Sequence, residues 1–122
     1  MLKVFLVFIG GGLGATSRYF LTNFLAGRLG NFPLGTLTIN IIGSFLMGVA
    51  VGIFAGKSDV EFYRVFFAVG FLGGFTTLSA FFAETFALMH AGQTLSLIIS
   101  VFGNLFVAFL ACVFGLKLTH AF

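Results

Sequence analysis

Apolar residues fill the chain in four long blocks, separated by three short polar segments, "GRLGNFP", "GKSDVE" and "HAGQT". The blocks run approximately over residues 2–26, 34–55, 62–89 and 95–118. A bilayer's hydrocarbon core is about 30 Å thick and a helix rises about 1.5 Å per residue, so roughly 20 apolar residues suffice to cross it. Each block therefore predicts a transmembrane helix, and no block is left over for a soluble domain. The polar segments carry Gly, Pro, Asn or Asp, which end helices and form turns, and Ser58 or Asp59 is placed to cap the third helix. Connections this short make one four-helix domain with both termini on the same side.

Polar and small residues recur within the blocks at a helical period. In the second, Thr36, Asn40, Ser44, Gly48, Gly52 and Gly56 stand four apart, and in the fourth Ser96, Ser100, Asn104, Ala108 and Cys112 do the same. A four-residue interval draws one slowly winding stripe along a helix. Small residues on such stripes let helices approach closely. An asparagine near the middle of each stripe needs more, because a buried carboxamide is costly without partners or water. Interhelical hydrogen bonding and the lining of a pore both meet that need. Helix one adds "GGGLGATSRY", with Gly10 and Gly14 as a GxxxG contact and Arg18 one turn later, about 12 Å from the helix end. From there Arg18 either snorkels to the interface or sets a positive charge at the mouth of a water-filled cavity.

The third block contains "GFLGGFTTLSAFFAET", residues 70–85. Glycine inside a helix costs about 1 kcal/mol relative to alanine and threonine is a weak helix former, so Gly70, Gly73, Gly74, Thr76 and Thr77 together predict a break near the middle of the span. The competing reading is a continuous helix in which Gly70 and Gly74 pack a neighbour. A break frees backbone carbonyls and amides at membrane depth, where transporters use such groups to hold ions. Glu84 is the single acid expected within the spans. It lies about 9 Å from its helix end, close enough to reach water or a basic partner.

Composition and charge narrow the function. Of 122 residues 60% are hydrophobic and only 7% charged, too few charges to coat a soluble domain. The six basic residues are scattered, so nothing tracks a nucleic acid backbone. One cysteine permits no internal disulfide, and neither His90 nor His120 has a metal-ligand partner at suitable spacing. Lys3, Lys57, Arg64 and Lys117 lie on the terminal side against Arg18 and Arg28 on the other, a small bias that permits insertion in both orientations. Twenty phenylalanines supply bulk, and Phe102, Phe106 and Phe109 lie opposite Asn104. The N-terminal stretch also has the look of a signal peptide, but its glycines interrupt the apolar run and it continues to spanning length, so it is expected to remain as helix one.

"GGGLGATSRY", "PLGTLTINIIGSF" and "GFLGGFTTLSAFFAE", in that order, resemble the signature segments of the Fluc family of fluoride channels, also called CrcB. The resemblance spans the whole chain. It implies an all-α membrane protein of four transmembrane helices, the third broken near its middle, assembled as an antiparallel dual-topology homodimer. It further implies a bacterial inner-membrane channel that exports fluoride passively and confers fluoride resistance. A structural sodium ion at the dimer interface would be held by backbone carbonyls of Gly73 and Thr76. Asn40 would donate its amide to fluoride, Phe81 matches the second of two pore phenylalanines, and Arg18 the vestibule arginine. Thr36, Ser44 and Ser79 would supply further donors, and Asn104 matches a polar position flanking the pore. One position departs: the family's usual "TTFSTF" reads "TTLSAF" here, so Leu78 stands at the first pore-phenylalanine position, which leaves a slower channel or one in which Phe82 or Phe75 compensates for the missing ring. Two other classes have this size: a proton-coupled multidrug exporter, which needs a carboxylate deep in helix one where this chain has Arg18, and a non-transporting assembly subunit that uses its glycines for packing alone.

Overall fold

The computed structural model describes residues 1–119, so His120 lies outside the described residues. Among these every regular element is helical, and four helices are long and apolar enough to cross a membrane: Leu2–Leu25, Leu34–Phe54, Glu61–His90 and Thr94–Leu118. Neither Ser58 nor Asp59 caps the third helix. Val60 occupies the cap position and no side chain bonds the first turn, so the helix opens directly on Glu61, which Lys3 of the first helix meets at 2.6 Å. The turn after His90 follows the Schellman pattern. Gly92 adopts φ 68°, Gln93 N–H donates to Leu88 O at 3.0 Å and Gly92 N–H to Met89 O at 3.2 Å, satisfying carbonyls that the helix end leaves open.

Glycines decide which helices touch. The first helix packs on the N-terminal half of the third, and the second on the C-terminal half of the fourth. A Cβ at Gly14 would overlap the Phe71 carbonyl, and one at Gly74 would overlap the Gly11 backbone. Gly48 faces the Cys112 carbonyl and Gly115 the Phe45 carbonyl just as closely. These contacts bring backbone against backbone, the mode open to helices that gain no hydrophobic drive from leaving lipid. Phe102, Phe106 and Phe109 stay exposed and so form part of the apolar surface that a bilayer would cover.

The third helix breaks two residues after its glycines. Thr76 (φ −78°, ψ 155°) and Thr77 (φ −148°, ψ 122°) are extended, separating residues 61–75 from a second segment, Leu78–His90. The continuous helix is thus ruled out while its packing role for the glycines is kept: Gly70 and Gly74 pack against Gly10 and Gly11, and the chain unwinds immediately beyond them. Two wider, π-helical stretches went unforeseen, Val65–Leu72 before the break and Gly103–Val107 around Asn104. Such widenings shift the register of a helix locally and recur at functional sites.

Substituting Gly14→Val should lower the apparent melting temperature in detergent and reduce the yield of monodisperse protein, because overpacking of this kind costs about 1–3 kcal/mol. Gly12→Ala, with no atom within 4 Å of the added methyl, should leave both unchanged or slightly improved.

Candidate functional site

The break sets the chemistry of the site. In an uninterrupted helix the Gly73 carbonyl would accept from Thr77 N–H and the Thr76 carbonyl from Ala80 N–H. Here Thr77 N–H donates to Asn40 Oδ1 at 2.9 Å, and Ala80 N–H donates to Thr77 Oγ1 at 3.2 Å as the N-cap of the second segment. The carbonyls of Gly73 and Thr76 are thereby left without their helical donors. Gly73 is exposed and Thr76 half-buried on the surface of the chain. Thr76 Oγ1 turns back to Leu72 O at 3.0 Å, and Gly43 of the second helix provides the space for its methyl group.

Asn40 holds the unwound strand as a neighbouring β-strand would. Its Nδ2 donates to Thr77 O at 2.9 Å while its Oδ1 accepts from Thr77 N–H, closing a two-bond ring with one residue. The same Nδ2 donates to Asn104 Oδ1 at 2.7 Å, and Asn104 Nδ2 donates to Ser100 O at 2.9 Å. The two mid-stripe asparagines therefore meet, across the widened turn of the fourth helix. An amide nitrogen carries two hydrogens, and in this chain those of Asn40 are engaged by Thr77 O and Asn104 Oδ1.

Two clefts flank this clamp, and Thr77 lines both. One, of about 200 Å³, gathers Asn40, Ser44, Thr76, Leu78, Phe81 and Asn104. Phe81 is 4% exposed and lies 5.2 Å from Phe82, ring centre to ring centre, whereas Leu78 is 64% exposed and faces away from the chain's own core. Phe75 is buried and stacked on Phe71, so it cannot stand in for a ring at position 78. No cation lines this cleft among the described residues. The other, of about 300 Å³, brings Arg18 together with Thr22, Asn23, Thr36 and Glu84.

Glu84 pairs with a hydroxyl and not with a base: its Oε1 accepts from Thr36 Oγ1 at 2.6 Å, and its Oε2 is buried without a partner among the described residues. Among those residues the one ion pair is Lys3–Glu61, so Arg18 faces its cleft unpaired by any of their carboxylates. Ser79 lines neither cleft; its hydroxyl lies 3.3 Å from that of Thr77, on an exposed residue. Gly73 likewise stands outside both. Sequence reading passed over Thr77 as a site residue, although it touches both clefts and makes more of the site's bonds than any other. The signal available was its place directly after the glycines, but the partner was not legible because Asn40 lies 37 residues away.

Comparison with known proteins agrees along the whole chain. The family model described as "CrcB-like protein, Camphor Resistance (CrcB)" matches residues 5–116. A protein of Pyrococcus furiosus named "Fluoride-specific ion channel FluC" is 41% identical over 116 residues, covering 91% of this chain and 94% of its own. Proteins of the same name are 41% identical in Mesorhizobium japonicum, covering 99% and 98%, and 39% identical in Thermus thermophilus, covering 98% and 94%. With four spanning helices, a broken third and this match over nearly its full length, the chain is a multi-pass membrane protein that belongs to the CrcB family.

Proposed function

We propose that this protein is a fluoride-selective channel that lets fluoride leave a bacterial cell passively across the inner membrane, so conferring fluoride resistance. The observation that carries the reading is the clamped break at Thr76–Thr77, with a cation-free cleft on one side and an Arg18-bearing cleft on the other. Fluoride is small and strongly hydrated. A pathway for it must replace water with hydrogen-bond donors and the positive edges of rings, yet hold the ion weakly enough to release it. The cleft with Ser44, Asn104 and Phe81 offers donors and a ring without a fixed charge that would trap the ion. Arg18 supplies an attractive field at the adjoining cleft. Thr36 stands there already bonded to Glu84, and Ser79 lies on the outer surface beside the break.

The working unit in this reading is an antiparallel, dual-topology homodimer. Unwound backbone at membrane depth is tolerated only where protein or water covers it, and here the exposed Gly73, Leu78 and Ser79 lie on the outer face of a single chain. A second copy on that face would cover the break and bring Leu78 and Ser79 to its own clefts. The Gly73 and Thr76 carbonyls suit a structural sodium ion, since both have lost their helical donors and sodium takes hard oxygen ligands. Two copies around an axis would offer four such carbonyls to one ion.

Purified protein in liposomes should release fluoride down its gradient far faster than chloride, with no pH gradient applied; a requirement for a proton gradient would favour an exporter instead. Leu78→Phe should raise the fluoride rate several-fold in the same assay, by adding a ring edge. Elemental analysis should find one tightly held sodium per two chains, and labelling of the N-terminus in intact cells should find it on both sides of the membrane.

A further inference from the structure

A further cleft lies away from the break, between the C-terminal end of the second helix and the start of the third. It holds about 600 Å³ and gathers Lys57, Ser58 and Arg64 at the end of the spans, with Ala50, Phe54 and Val69 deeper in. We infer that it binds an anionic phospholipid, whose phosphate is held by Lys57 and Arg64 and one of whose acyl chains lies along the second helix.

The turn between the two helices places the charges. The second helix ends at Phe54, Gly56 reverses the chain with φ 69°, and Lys57 N–H donates back to Phe54 O at 3.3 Å. The third helix opens at Glu61 and puts Arg64 on the same cleft within its first turn. Neither cation has an ion-pair partner among the described residues: Glu61 is taken by Lys3 at 2.6 Å, and Asp59 does not line the cleft. Two unpaired cations on one cleft repel each other, and an anion between them removes that cost. Beyond them the walls turn apolar. A groove of about 370 Å³ shares Ala50 and Phe54 with the cleft and carries on past Leu46, Val49, Phe67 and Phe71. From Leu46 to Phe54 this track follows about 12 Å of helix at ~1.5 Å per residue, close to the depth of one leaflet, about half of a 30 Å core. A charged end joined to an apolar track of that length fits a phospholipid and not a free anion.

Charge complementarity favours a lipid over a second copy of the chain as the occupant. The chain has three acids. In an antiparallel pair the second copy would carry Asp59 and Glu61 to the opposite face of the membrane. Its Glu84 would come to the same face, but that carboxylate is bonded to Thr36 in a cleft of its own, beside Arg18. A lipid phosphate instead accepts charge-assisted hydrogen bonds from both cations and a further one from the Ser58 hydroxyl. Basic pockets between transmembrane helices are a recurring form of headgroup site.

Native mass spectrometry of the full chain, released from detergent with added phosphatidylglycerol or with phosphatidylcholine of the same acyl chains, tests the inference. Phosphatidylglycerol should stay bound and phosphatidylcholine should be lost. Replacing both cations, Lys57→Gln with Arg64→Gln, should weaken phosphatidylglycerol retention by about tenfold or more, the worth of two basic groups beside an anionic headgroup. Lys117→Gln removes a basic residue from the same face but outside the cleft, and should leave retention unchanged. Excess inorganic phosphate should not displace the lipid, because the apolar track supplies part of the binding. Equal retention of the two lipids, an equal loss in Lys117→Gln, displacement by phosphate, or no lipid retained because a second copy fills the cleft would each overturn the inference. Should the double variant fail to fold, the lipid comparison and the phosphate competition on the wild-type protein decide. None of these readouts involves fluoride, so failure here leaves the channel reading intact.

Discussion

Every backbone polar group within a bilayer has to be satisfied by protein or by enclosed water, at a cost of several kcal/mol for each that is not. The third helix violates this rule at Thr76 and Thr77, and much of the rest of the molecule can be understood as the accommodation of that violation. Asn40 satisfies both main-chain groups of Thr77 with one carboxamide. Thr77 in turn caps the segment that restarts at Leu78. The carbonyls of Gly73 and Thr76, whose helical donors are turned to Asn40 and to the Thr77 hydroxyl, keep no such replacement among the described residues.

The glycines serve the same end from a distance. Asn40 can reach Thr77 only if the second and third helices approach closely at the break, and Gly43 makes the room by leaving space for Thr76 and Phe75. Gly10, Gly14, Gly70 and Gly74 then fix the first helix against the segment that precedes the break, so its last turn cannot drift. Gly48 and Gly115 bring the fourth helix against the second, and the two helices that they join carry the asparagines that meet. Packing and polar bonding are thus one device: the close contacts position the amides, and the amides make an unwound strand tolerable.

The two clefts differ in charge because the clamp lies between them. One side holds amides, hydroxyls and the Phe81 ring, and the other holds Arg18, Glu84 and the hydroxyl that binds it. A route that passes from a charged cleft to a neutral one gathers an anion without burying a countercharge beside it at the narrowest point. Thr77, common to both, is where such a route would cross from the first helix's side to the fourth's.

Much of this was determined by the sequence alone. Block length set four spanning helices, because a bilayer's thickness translates directly into a count of apolar residues. Glycine and threonine clustering marked the interruption in the third helix, because weak helix formers act locally. The stripes marked which faces of the second and fourth helices turn inward, since a period of four is a property of the helix itself. Partnership was another matter. That Asn40 spends its hydrogens on Thr77 and Asn104, that Glu84 meets Thr36 and not a base, and that Phe75 is locked in the core while Leu78 faces outward, all depend on how separate helices come together. A side chain's type states which bonds it is able to make. Only the tertiary structure decides which of them are made.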